Sequence, residues 1–201
     1  ASITGNTITL DASGAAYDCL AEGVTQQVTV TYGVTDGIAT TENTATFTVT
    51  GVNDVATIDG VSTGAVTEEA STPNLTTGGQ LTVSDADAGQ SNFAPQESVA
   101  GAYGTFTLDA SGQWTYTADN SNPAIQELGG GPISGGSGIS PLRNVDSHLT
   151  DSFTAVSSDG SASQVITVTI NGTNDVPLIT NYVPGNVTED SSSTLTTGGT
   201  L

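Results

Sequence analysis

The sequence predicts an all-β protein built from antiparallel β-sandwich units in tandem. Three observations carry this reading. Apolar residues alternate with threonine at period two over several short runs, the pattern of a half-buried strand. Turn pairs such as Asp36-Gly37, Ser111-Gly112 and Asp159-Gly160 separate those runs, at the spacing of short hairpin-linked strands. The chain also repeats itself over an interval as long as a domain.

The elements follow in order. Gln27–Tyr32 puts Val28, Val30 and Tyr32 on alternate positions, and Thr46–Thr50 does the same with Phe47 and Val49. Leu81/Val83, Phe106/Leu108, Trp114/Tyr116 and Val165–Ile170 continue the pattern. Phe106, Trp114 and Tyr116 read as core side chains, because aromatics bury the most area per residue. A sugar-stacking platform is the alternative. Two stretches break the alternation: Tyr17–Glu22 and Pro123–Leu128 each predict one helical turn at a crossover. The Thr-x-Thr rows read as solvent-facing sandwich positions. An ice-binding solenoid needs a short regular period, and this repeat is domain-long.

Composition narrows the function. Of 201 residues one is Lys or Arg and 21 are Asp or Glu, giving a formal charge of −20. Nucleic-acid binding needs several cations to neutralise phosphates, and a peripheral membrane helix needs a basic face. Without lysine there is no Schiff base, P-loop or Lys–Asn isopeptide staple. No apolar run approaches the roughly 18 residues of a membrane-spanning helix. The chain begins at Ala1 and reads as a processed protein or an excised piece. Cys19 is the single cysteine, so no intrachain disulfide forms, and bound metal is the usual substitute staple. Cys19 itself reads as a small core hydrophobe.

The repeat sets the domain boundaries. Gly51-Val52-Asn53-Asp54 recurs as Gly172-Thr173-Asn174-Asp175, and Thr67-Glu68-Glu69 as Thr188-Glu189-Asp190. Leu75–Gly79 recurs as Leu195–Gly199, and Leu10–Gly14 is identical to Leu108–Gly112. Residues 1–54 thus read as the rear of one repeat, 55–175 as a whole repeat and 176–201 as the front of a third. The whole repeat is longer than the first by about 23 residues after Gly112, assigned to a Gly-rich surface loop at 129–146 that carries Arg143.

The acids cluster. Asp85-Ala86-Asp87-Ala88-Gly89 offers two carboxylates at i and i+2 before a glycine, a spacing that lets both converge on one hard cation. Asn53-Asp54 and Asn174-Asp175 mark the repeat junctions, Asp36 and Asp159 precede glycine in equivalent turns, and Glu68/Glu69 and Glu189/Asp190 are paired acids. Ca²⁺ takes six to eight oxygens, more than any one cluster holds. Clusters meeting at one end of a sandwich can supply them. The competing reading is a set of solvated turns. Enzymatic activity is not expected. His148 is the single histidine, and its neighbours Asp146, Ser147 and Asp151 are adjacent in sequence only. Asn74, Asn171 and Asn186 stand in glycosylation sequons.

Gly51–Asp54, Val66–Glu69, Leu81–Gly89, Gly104–Asp109, Trp114–Tyr116, Asp119–Pro123 and Leu149–Phe153 through Asn174–Pro177 together resemble a VCBS repeat. Such repeats stand in tandem in large bacterial surface adhesins of the RTX type and are similar to cadherin domains. The resemblance covers most of 51–201, departs from the family at Gly129–Asp146, and extends to 1–54 as a neighbouring subtype. It implies an immunoglobulin-like, cadherin-like sandwich. It also implies a division of ligands: Asn53 and Asp54 with Asp85, Asp87 and Asp159, and Glu68 or Glu69 at the far end near Asn174 and Asp175. The third repeat's own aspartates are absent before Leu201. The expected function is a non-enzymatic extender module of a secreted bacterial surface adhesin or fibre, stiffened by Ca²⁺ at its junctions. Its partners are neighbouring repeats, with no nucleic acid and no membrane insertion. Two other readings stand beside it. In one, 176–201 of one chain completes 1–54 of the next by strand addition. In the other, the 129–146 loop is a carbohydrate- or surface-binding tip.

Overall fold

The computed structural model describes residues 1–69, 73–129 and 147–173. Residues 130–146 with Arg143, and residues 174–201 with Asn174, Asp175, Asn186 and Glu189, lie outside them. The described chain is all-β apart from one short helix, as its alternation predicts.

The first part is a hairpin and a ribbon. Strands β1 (Ser2–Thr4) and β2 (Thr7–Thr9) pair around Gly5, and β3 (Thr25–Thr35) pairs antiparallel with β4 (Thr40–Thr50) along their whole length. The turn between β3 and β4 places Gly37 at φ 91°, a left-handed conformation that glycine adopts without a Cβ penalty. Val28, Val30 and Tyr32 share one face of the ribbon with Ala45, Phe47 and Val49, all half-buried, while the threonines between them are exposed.

The second part is a sandwich. One sheet has the order β5 (Thr57–Gly60), β7 (Asn74–Ser84), β10 (Gln113–Asp119), β9 (Gly104–Leu108), β8 (Gln96–Ala100). The other has the order β11 (His148–Val156), β12 (Ser163–Asn171), β6 (Thr63–Thr67). The chain changes sheets between β5 and β6. There Gly60, at φ 109°, lies so close to Gln80 that any Cβ would strike its carbonyl. The β6–β12 pairing is parallel; the other pairings are antiparallel.

The core fills the space between the sheets. Leu81, Phe106, Leu108, Trp114 and Tyr116 face Phe153, Ala155, Ile166, Val168 and Ile170, and all are buried. Phe106 stacks on Phe153 with centroids 4.6 Å apart and planes 8° off parallel. Trp114 is 1% exposed. Its ring fits a slot left by Gly64 and Gly79, where an added Cβ would come within 2.8 and 2.9 Å of the indole. Its indole N–H donates to the Val61 carbonyl at 2.7 Å, which satisfies the one polar atom the burial takes from water.

Three expectations need correction. Pro123–Gln126 does form a helical turn, α1, because Asn122 caps it by accepting from the Ala124 N–H at 3.0 Å and Pro123 starts it. Tyr17–Glu22 lacks such an Asn-Pro start and forms successive tight turns instead, with Leu20 N–H donating to the Tyr17 carbonyl. Cys19 lies on these turns and is exposed rather than a core residue. The third concerns chain length. Gly51 packs against the backbone of Leu20 and Ala21, as Gly172 packs against Leu128, so the two turn segments occupy matching places. After Gly14 the chain enters its turns within three residues, whereas after Gly112 it first lays down β10. Part of the extra length is therefore a core strand, and only the remainder falls to 129–146.

Candidate metal centre between ribbon and sandwich

The junction between ribbon and sandwich is where the predicted acids meet. The loop after β7 begins with Asp85, whose Oδ1 accepts from the Asp87 N–H at 2.8 Å. The Ser91 hydroxyl closes the loop by accepting from the Asp85 N–H at 3.1 Å. The Asp85–Asp87 bond is the one an aspartate side chain readily makes to the backbone two residues on. It turns Asp87 inward, where it is 1% exposed. One Asp87 oxygen, Oδ2, accepts from the Asp54 N–H at 2.9 Å. Asn53 bridges the other way, donating to the Asp54 carbonyl at 2.7 Å and to Asp159 Oδ2 at 3.3 Å. Asp159 reaches this place on the turn between β11 and β12. Five predicted residues, Asn53, Asp54, Asp85, Asp87 and Asp159, thus belong to one connected network.

Four buried oxygens in this region have no hydrogen-bond partner: Asp85 Oδ2, Asp87 Oδ1, Gln90 Oε1 and Asp159 Oδ1. All four are acceptors. A buried acceptor without a donor costs about 1–3 kcal/mol, and more when charged, so this loop system lacks positive charge or donors, not further carboxylates. The Ser157 and Ser161 hydroxyls beside Asp159, with Asn53, hold its carboxyl far below the usual carboxylate range. It is ionised at any physiological pH. The arrangement fits a hard, oxygen-seeking cation. No three His, Cys, Asp or Glu side chains among the described residues are set as a ready-made cage; the fit rests on the orphaned oxygens.

The loop also touches the preceding part of the chain, because the Ala88 N–H donates to the Cys19 carbonyl at 3.1 Å. The same junction therefore joins linker, loop, turn and ribbon.

The other predicted ligands stand elsewhere. Asp36 caps its own turn, accepting from the Ile38 and Ala39 N–H groups at 2.9 Å each, which lowers its pKa. Glu68 lies at the far end of the sandwich, fully buried. Its Oε2 accepts from the Thr173 hydroxyl at 2.8 Å and N–H at 3.2 Å, and its Oε1 from the Gln126 amide at 3.4 Å. Protein donors thus serve both its oxygens. Glu69 is exposed, and only its carbonyl is engaged, by Asn120. His148 is exposed and contacts the Ser147 hydroxyl at 3.4 Å.

Sequence reasoning missed two polar groups. Gln90 follows Asp-x-Asp-x-Gly directly, and its position was the available signal. Asp151 is buried at 6% exposure, accepting from the Ala102 and Tyr103 N–H groups at 3.0 and 3.1 Å and from the Tyr116 hydroxyl at 2.6 Å. Its signal was parity, since Asp151 stands on the inward side of β11 with Phe153 and Ala155.

Comparison with known families settles the lineage. The family model described as the bacterial cadherin-like domain matches residues 53–172. The chain belongs to this family. No curated protein matches it. The match takes in the junction residues Asn53 and Asp54 and all of the sandwich, and the cadherin-like domain is a structural fold. Among the described residues no helix is long and apolar enough to cross a membrane.

Proposed function

We propose that this cadherin-like domain is an extender module of a secreted bacterial surface adhesin, of the VCBS kind, and that Ca²⁺ at the Asn53–Asp54 junction stiffens it. The four orphaned oxygens carry the reading. Asp85 Oδ2, Asp87 Oδ1, Gln90 Oε1 and Asp159 Oδ1 are buried acceptors without donors, and they stand beside the Asn53–Asp54 linker between ribbon and sandwich. Ca²⁺ supplies charge and fills coordination positions that a chain with a single Lys or Arg leaves open. Asn53 and Asp54 supply the linker's contribution. In this reading Asp36, Glu68 and Glu69 shape the fold around the ion sites and leave the ligation to the junction group.

The expected affinity is that of an extracellular module, with Kd on the order of 10⁻⁴–10⁻³ M. Calcium at about 100 times Kd adds roughly 2.7 kcal/mol per site. The test is calorimetric titration of the chain with CaCl₂, alongside thermal melts with calcium and with chelator. Saturable binding and a melting temperature several degrees higher in calcium are expected. Identical melts and no binding heat up to 10 mM calcium would overturn the proposal.

A further inference from the structure

Of the four residues with an orphaned oxygen in the metal centre, three are acids and Gln90 is neutral. The Gln90 main chain is fixed from both sides. Its N–H donates to the Asp87 carbonyl at 3.2 Å, and its carbonyl accepts from the Asn92 N–H at 2.7 Å and the Ser158 hydroxyl at 3.1 Å. The Ser158 N–H in turn donates to the Asn92 carbonyl at 2.8 Å, and the Ala94 N–H to the Val156 carbonyl at 3.0 Å. Gln90 therefore ties the loop after β7, in one sheet, to the turn that carries Asp159, in the other. From this anchored backbone its side chain presents Oε1, buried and without a donor. Asp87, to which Gln90 is bonded, is 1% exposed and likewise has Oδ1 unpaired.

Ca²⁺ takes amide carbonyl oxygens alongside carboxylates, and its affinity for a site rises with the number of charged ligands. Asp85, Asp87 and Asp159 together already carry more negative charge than one divalent ion cancels. We propose that Gln90 is the ligand that sets the affinity of this centre. Its neutral amide oxygen fills a coordination position without adding a fourth charge, which keeps binding weak and reversible. The inference rests on the calcium reading above and names the residue that holds the site in the range of an extracellular module. The anchored main chain leaves only the side-chain torsions of Gln90 to be ordered on binding. A carboxylate in its place would act in opposite directions in the two states of the protein. Without the ion it would add repulsion among buried acids. With the ion, the same charge would strengthen the grip on the cation.

The experiment compares the full 1–201 chain with its Gln90→Glu and Gln90→Met variants. Each is titrated calorimetrically with CaCl₂ and melted in calcium and in chelator, with Trp114 fluorescence as the readout. Gln90→Glu should lower the calcium Kd roughly tenfold or more. Its melting temperature should fall below the parent's in chelator, and calcium should raise it by more than it raises the parent's. Gln90→Met is close in size but lacks the oxygen. It should raise Kd roughly tenfold or more and melt no lower than the parent in chelator, because Oε1 has no donor to lose. A parent that binds calcium while both variants bind it with the same Kd overturns this inference and leaves the calcium reading standing. Gln90→Met that binds like the parent and melts lower in chelator also overturns it, since an amide turned to donate to the carboxylates gives that result. A parent with no binding heat overturns the calcium reading, and this inference with it.

Discussion

Asp87 is 1% exposed, yet only one of its oxygens accepts a hydrogen bond. Replacing it with alanine removes a charge that the protein leaves unneutralised and also frees the Asp54 N–H. Asp87→Ala is therefore expected to abolish the calcium-dependent part of the melting temperature while changing the melt in chelator less. Paired scans of both proteins, with and without calcium, check this. Asp159 gives a pH prediction. Its folded-state pKa is depressed below the ordinary 3.8, so the stability it contributes is full above that value and is lost as pH falls through the folded value. The gap in melting temperature between wild type and Asp159→Asn, measured in chelator, should hold from pH 7 to 5 and close in strong acid. Tyr116 offers a contrast. Burial, then the Asp151 carboxylate, push its phenol far above the usual range, so it stays protonated and donates. Tyr116→Phe should cost about 1.5–3 kcal/mol, the range for a bond to a charged group, measured by urea unfolding with Trp114 fluorescence. Much of this was legible in the sequence. Asp-x-Asp-x-Gly, the Asn-Asp pair and the Asp159-Gly160 turn named five members of the network. Gln90 and the orphaned oxygens were not legible, because they depend on which side of a loop each oxygen faces.

Element by element, period two located most of the strands, because each packs one face and wets the other. It failed where the chain follows local hydrogen bonding instead. Tyr17–Glu22 and Pro123–Leu128 looked alike in composition, but only the second has Asn122 and Pro123 to start a helix. The length comparison failed for another reason. A strand added inside the core and a loop added outside it lengthen the chain equally, and only the sheet order tells β10 from an insertion. The slot for Trp114 is also a property of paired elements. Gly64 sits on β6 and Gly79 on β7, one in each sheet. Gly79→Ala should place a methyl 2.9 Å from the indole and cost about 1–3 kcal/mol by overpacking. The same urea titration detects it. At the sheet edge, β8 shows a register shift between Gln96 and Val99, and Ser98 within it stands at φ 56°. Such a bulge twists an edge strand away from pairing with strangers. β4 has no comparable device.

For the whole molecule, the junction couples two parts through few contacts: Asn53 to Asp159, Asp54 to Asp87, and Ala88 to Cys19. Each is a single hydrogen bond worth about 0.5–1.5 kcal/mol net. An ion gripped by linker, loop and turn together would make bending at the junction cost the whole coordination shell. Small-angle scattering should show a longer, narrower distance distribution in calcium than in chelator. Equal distributions would mean that the junction does not stiffen. The sequence marked this place through the displaced copies of Gly51–Asp54 and Thr67–Glu69.

The parallel pairing of β6 with β12 has a mechanical consequence. The described sandwich runs from Asp54 to Thr173, and these two strands are the ones nearest those points in the second sheet. Tension on the ends draws β6 one way and β12 the other, along their shared axis. The register from Thr63–Thr167 to Thr67–Asn171 is then loaded in shear, and its hydrogen bonds must yield together rather than one by one.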